Sequence, residues 1–210
     1  MKSMPQYQVH KIFPTPVFVH DDITTTEKQR DFVYAQKWYR PPADNGWLTQ
    51  NLYLLDKPVM KTLKDKIMDC LDLFVHKELG LPEDMFFRMT NSWAVKHHEG
   101  DWGQSHIHTN SVFSGVYYMD TNPNTGNISF HRDVSDHVLP MTARPGRYTE
   151  RNEFNTDEHR VDSEVNRLVL FPSNLHHSVG TNRSEWDRYS IAFNFFPVGH
   201  WGQDEHELIL

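Results

Sequence analysis

His106-Ile107-His108 places two imidazoles one residue apart ahead of an apolar run, and a second pair, His176-His177, follows the run Arg167 to Phe171. Side chains at i and i+2 of a strand share a face about 7 Å apart, so His106 and His108 can converge on one metal ion while a third imidazole arrives from elsewhere. The stretch Arg188-Tyr189-Ser190-Ile191-Ala192-Phe193-Asn194-Phe195-Phe196 then alternates cleanly. As a strand it puts Arg188, Ser190 and Asn194 on one face and Tyr189, Ile191, Phe193 and Phe195 on the other. A guanidinium presents a planar fork that grips a carboxylate through two parallel hydrogen bonds. Metal and anion anchor together suit a small dicarboxylate cosubstrate.

Several of these motifs, in this order, resemble a known family. They are His106-x-His108, Ser114-Gly115-Val116-Tyr117-Tyr118-Met119, Leu170-Phe171-Pro172-Ser173 with His177-Ser178-Val179, and Arg188 to Asn194. Together, over roughly Thr90 to Pro197, they resemble the 2-oxoglutarate/iron(II)-dependent oxygenases, specifically a small branch common among marine bacteria and phages. The usual triad of that superfamily is His-x-Asp/Glu plus a distal His, and His108 stands here where the carboxylate is expected. Three arrangements follow: His108 is a third imidazole ligand, it leaves that position to water, or the triad is offset so that His108 comes first and Asn110 takes the carboxylate's place. A neutral amide is a poor iron ligand, which favours His106, His108 and His177. Such a site is about one charge unit more positive than the usual triad, so it binds anions readily and admits zinc as a competitor for iron.

The resemblance further implies that Arg188 pairs with the distal carboxylate of 2-oxoglutarate, with Ser190 and the Tyr118 phenol assisting. His177, rather than His176, is taken as the distal ligand because His177-Ser178-Val179 matches the family's His-x-Val pattern. The implied enzyme is an Fe(II)-dependent dioxygenase that converts 2-oxoglutarate to succinate and CO2 while hydroxylating a C–H bond of a small molecule or protein side chain. Two alternatives stand beside it: a cupin-like three-histidine metalloenzyme that uses no oxoacid, and a non-catalytic jelly-roll binding module.

The remaining histidines have weaker claims. His97-His98 precede Glu99-Gly100-Asp101-Trp102-Gly103, a polar stretch that reads as a loop bordering the site, where Trp102 or Gln104 can touch substrate. His131, His137, His159, His200 and His206 lack partner spacing and read as solvated.

The elements that must position these residues follow from patterning. The chain has 210 residues, 38% hydrophobic and 13% aromatic, enough for a single domain over 1–210. Helical support is expected over about 1–84 and a metal-binding β core over about 85–197. Net charge is −7 with no dominant basic cluster, which argues against a phosphate-neutralising nucleic-acid surface. The single cysteine, Cys70, excludes an internal disulfide framework. No apolar run reaches the roughly twenty residues a bilayer span needs, so a cytoplasmic protein of a bacterium or phage-infected host is expected, with no membrane partner and a homodimer permitted.

Prolines in Val9 to His20 demote that run to an edge strand. Thr24-x-x-Glu27 has capping-box spacing for a helix to about Tyr39. From Pro58, apolar Val59, Leu63, Ile67, Leu71, Phe74 and Val75 recur at helical spacing up to Gly80. After Met85 the texture turns to short strands: Phe86 to Val95, Val112 to Met119, Ile128 to Phe130, Arg167 to Phe171, His177 to Val179 and Arg188 to Phe196. These predict an all-β core with flanking helices, a double-stranded β-helix (jelly roll) whose N-terminal helices pack on one sheet. The charged segment Asp133 to Glu164, with Arg144, Arg147, Tyr148, Arg151 and Arg160, is expected to be a loop or lid outside the core.

Overall fold

A computed structural model describes residues 8–42, 45–133 and 149–210. Its core is two antiparallel sheets. The larger takes the order β1 (Phe18–His20), β9 (Leu168–Pro172), β6 (Phe113–Asp120), β11 (Arg188–Val198), β4 (Phe86–His97), β3 (Trp47–Thr49) and β2 (Trp38–Tyr39). The smaller runs β5 (Gly103–His106), β10 (His177–Val179), β7 (Ile128–His131) and β8 (Glu158–Val161). A separate hairpin joins β12 (His200–Trp201) to β13 (Leu208–Ile209).

Strand β11 organises the larger sheet, pairing along its length with β4 and β6. Its alternation sends Ile191, Phe193 and Phe195 outward into the main apolar core, while Arg188, Ser190 and Asn194, all buried, face the smaller sheet. The outer face is covered by helices α1 (Glu27–Tyr34) and α2 (Lys61–Asp72), with a π-helical turn at Leu73–Glu78. Leu63, Ile67, Leu71, Phe74 and Val75 are all buried there against Phe113, Tyr117 and Phe193 of the sheet. At about 1.5–3 kcal/mol for each large aliphatic or aromatic side chain, this stripe is the main support of the sheet's outer side. Gly80, with φ +69°, ends the helical run where the sequence placed its cap.

Two local expectations shift. The capping box forms at Thr26 and Gln29 instead of Thr24 and Glu27: the Gln29 N–H donates to Thr26 Oγ1 (3.2 Å) and the Thr26 N–H to Gln29 Oε1 (2.9 Å). An amide at that place has a physical advantage, because Gln29 Nε2 also donates to the Val59 carbonyl and Thr62 Oγ1, tying α1 to the start of α2. The helix stops at Tyr34, and Trp38-Tyr39 extend to pair with Thr49 and Leu48. Within the expected lid, Glu158–Val161 is a strand of the smaller sheet and Val161 is buried, so that part belongs to the core. Arg151 and Arg160 form surface ion pairs with Asp157 and Glu158. Arg144, Arg147, Tyr148 and His137 lie outside the described residues.

The inner faces of the two sheets meet through Tyr118, Val169 and Phe171 on one side and Ile128, Phe130 and Val161 on the other. On the outer side, the flanking strands β9 and β11 crowd Gly115 so closely that an added Cβ would lie 2.4 Å from Phe193 Cε2 and 2.9 Å from the Val169 carbonyl oxygen. Gly115→Ala is therefore expected to lower unfolding free energy by about 1–3 kcal/mol in denaturant titration, the usual cost of overpacking. An unchanged midpoint would mean that β6 and β9 can separate freely there.

Candidate metal centre and anion anchor

Three imidazoles converge at one end of the smaller sheet. His106 closes β5, His177 opens β10 in register with it, and His108 lies just beyond β5, its N–H donating to the Ser173 carbonyl (2.9 Å). The pair His106 and His108 thus meets by a bend after the strand and not by strand alternation, with ring centroids 5.2 Å apart. One ring nitrogen of each of the three lies within 4.8 Å of the others. His108 Nε2 and His177 Nε2 are 3.3 Å apart. Two nitrogens bound at about 2.1 Å to one ion are at most about 4.2 Å apart, so this pair already has ligand spacing and the third ring needs only a small adjustment.

Backbone carbonyls fix the tautomers. His106 Nδ1–H donates to Gln104 O (2.8 Å) and His177 Nδ1–H to Leu175 O (2.9 Å), leaving each Nε2 lone pair free to ligate. An aromatic wall surrounds the deeper rings: Phe171 and Phe130 pack on His177, and Trp93 lies against His108. Burial there pushes the His177 pKa down to about 3 and, with the charge of His106 adding, that of His108 down to about 4. Both rings are neutral near pH 7, the form a metal requires. His106 sits at the rim, less enclosed than His177. His176, the neighbour of His177, is exposed and outside the cluster.

Arg188 starts β11, 1% exposed, and its surroundings are unusual for a cation. Nη1 donates to the carbonyls of Thr125 and Gly126 (both 2.9 Å), and Nη2 donates to His97 Nδ1 (2.6 Å). Nε is buried with no partner. Five N–H donors against three acceptors leave two unclaimed, and no carboxylate among the described residues pairs with the guanidinium. The Ser190 hydroxyl and the Tyr118 phenol, opposite one another across β11 and β6, are likewise not engaged by any described side chain. Burial raises the Tyr118 pKa to about 12, against the lowering effect of Arg188, so the phenol keeps its proton and can donate. The arrangement is a buried cradle of donors, which an oxyanion fits and a cation does not.

His97 corrects a sequence expectation: instead of lining a surface loop, it ends β4, is 3% exposed and faces Arg188 in register. Desolvation and the nearby guanidinium hold its pKa down at about 3. The signal was present in the sequence, since β4 alternates Asn91, Trp93, Val95, His97 onto the inner face, opposite Arg188. His98 instead pairs with Asp187. His131, expected to be solvated, shares a hydrogen bond with Ser178 Oγ (2.8 Å) behind His177, whereas His159, His200 and His206 are exposed. Trp102, at the start of the stretch leading to His106, is 42% exposed at the rim.

A family model described as "Putative 2OG-Fe(II) oxygenase" matches residues 91–194, a span that contains all three imidazoles and Arg188. Solved structures share the fold. HygX from Streptomyces hygroscopicus, with nickel and 2-oxoglutarate bound, superposes with TM-score 0.57 at 12% identity, covering 86% of this chain and 82% of that one. A Pseudomonas putida prolyl-4-hydroxylase gives 0.54 at 16% identity over 86% and 92%. The epimerase SnoN, in complex with Fe3+, alpha ketoglutarate and nogalamycin RO, gives 0.61 at 13% identity over 87% and 79%. No curated protein sequence matches the chain. The chain belongs to the 2-oxoglutarate/iron(II) oxygenases, and its two sheets form their double-stranded β-helix. It is thereby an oxidoreductase, and no helix among the described residues is long and apolar enough to cross a membrane.

Buried His97 and His177 and half-buried His108, all held below the ordinary value of 6.5, carry a stability consequence. The unfolded chain binds protons near pH 6.5 that the folded metal-free protein refuses until about pH 3–4, so this contribution is complete above 6.5 and is lost as pH falls. Denaturant titrations of metal-free protein should show a plateau above pH 7 and a steady decline towards pH 4. A flat profile would place these rings in water.

Proposed function

We propose that this protein is a 2-oxoglutarate-dependent non-haem iron dioxygenase in which His106, His108 and His177 hold Fe(II), and Arg188, Ser190 and Tyr118 bind the distal carboxylate of the cosubstrate. The observation that carries the assignment is the fully buried guanidinium with two unclaimed N–H donors and no acidic partner among the described residues, in the same inter-sheet space as three convergent imidazoles. An isolated buried charge is costly, and a carboxylate presenting two acceptors relieves it.

Iron and 2-oxoglutarate, when bound, supply the oxidising chemistry: dioxygen and the oxoacid are consumed, succinate and CO2 leave, and one oxygen atom enters a substrate C–H bond. The chain's own share is placement. Three neutral imidazoles add no negative charge, so a divalent ion keeps its full charge towards a dianionic cosubstrate. Strand β10 runs from His177 towards Gly180, whose carbonyl abuts the Gly126 turn holding Arg188, so one short strand links the imidazoles to the anchor. Phe130 and Phe171 against His177, and Trp93 against His108, give the imidazoles an apolar backing that would strengthen electrostatic contacts to a bound ion. Exposed His106, Ile107 and Trp102 put the open side of the site, and hence substrate entry, at the β5 rim.

Purified protein incubated with Fe(II), ascorbate and 2-oxoglutarate should release succinate, even slowly in uncoupled turnover. Arg188→Ala should weaken 2-oxoglutarate binding by about a hundredfold or more while the three-histidine site still takes up metal, because a charge-assisted bidentate contact is lost. Metal uptake without any succinate would favour a three-histidine enzyme that needs no oxoacid, and unchanged cosubstrate binding in the variant would remove Arg188 from the anchor.

A further inference from the structure

We propose that His97 is a positioning residue for the anion anchor: a neutral imidazole that fixes the Arg188 guanidinium through Nδ1 without cancelling its charge. The inference rests on the cosubstrate assignment above for its ligand, and on the geometry of this chain for its mechanism.

Three acceptors hold the guanidinium, and all three are uncharged: the carbonyls of Thr125 and Gly126 and the His97 ring. Arginine more often finds a carboxylate when buried, and a carboxylate at position 97 would occupy the same fork and neutralise it. The carbonyls come from a turn in the β6–β7 connection; the imidazole comes from the far side, on β4, in direct register with Arg188. Removing it would leave the guanidinium held from one side only. The ring is built in tightly. An added Cβ at Gly46 would lie 2.8 Å from His97 Nε2, so that residue's missing side chain is the space the imidazole fills. The His97 carbonyl is held by Asn182 Nδ2 (2.9 Å), and Asn182 is itself fully buried. Because an arginine N–H can only donate, Nδ1 must carry the lone pair, which fixes the neutral tautomer with its proton on Nε2.

Two substitutions separate placement from charge. His97→Asn keeps a neutral acceptor near the Nδ1 position, and His97→Asp supplies an acceptor of similar size with a negative charge. Calorimetric titration of 2-oxoglutarate into Mn(II)-loaded protein is expected to give an affinity within about threefold of wild type for His97→Asn, and about a hundredfold weaker for His97→Asp, where the new charge competes for the fork. Without cosubstrate the order should reverse in thermal stability, with His97→Asp melting above His97→Asn at pH 8, because it pairs a buried cation that wild type leaves uncompensated. Gly46→Ala, which crowds the ring from outside the site, should weaken 2-oxoglutarate binding while leaving Mn(II) affinity unchanged.

Equal losses of affinity in the Asn and Asp variants, or an Asp variant that melts no higher than the Asn variant, would reduce His97 to packing and overturn the proposal. If wild type itself bound no 2-oxoglutarate, the cosubstrate assignment would fail, and the melting comparison would still decide whether His97 holds Arg188 as a neutral partner.

Discussion

A guanidinium sealed between two sheets, with no negative charge beside it among the described residues, is the constraint around which this protein is arranged. Moving such a group out of water costs several kcal/mol after relaxation, and only part is returned by two carbonyls and an imidazole. The scaffold therefore needs surplus stability elsewhere, and the outer face of the larger sheet provides it through the apolar stripe of α2 and the aromatic residues of β11. That division inverts the usual sandwich, in which the space between the sheets is the driest part. Here the larger hydrophobic core lies in the outer layer, and the inner layer carries the buried polar groups beside a smaller apolar cluster.

Much of this division was written in the alternation of Arg188 to Phe196, which separates polar from apolar residues without exception across the strand's first seven positions apart from Ala192. Long elements with a strong period, α2 and the strands β4, β6 and β11, came through nearly at their observed bounds. Elements that depend on partners did not. Strands β2, β3 and β5 are two to four residues long and exist because a neighbouring edge offers hydrogen bonds, a fact no local pattern contains. Strand β8 was hidden inside a charged segment, since Glu158 and Arg160 face solvent and only Val161 reaches the core.

At the site, residue types were legible and relations were not. The spacing of His106 and His108 drew attention to a metal, yet the two meet through a bend that the strand argument did not foresee. His97 looked like part of a loop because Glu99 and Gly100 follow it immediately, and its inward direction emerges only once β4 is carried two residues further than its apolar run suggests. Metal centre and anchor also differ in how they are built. The imidazoles gather about a common point, with main-chain carbonyls behind His106 and His177, whereas the anchor holds its cation with donors left over.

The contact between Gly126, at φ +86°, and the Gly180 carbonyl has a consequence for how such a protein drifts over generations. Two of the three groups holding Arg188 are main-chain oxygens of Thr125 and Gly126, so most exchanges of the side chains around that turn leave the grip intact. Variation can accumulate along its outer surface while one position, where any side chain would collide with the neighbouring strand end, stays closed to change. Such a turn lets relatives diverge in sequence and still hold the same cation in place.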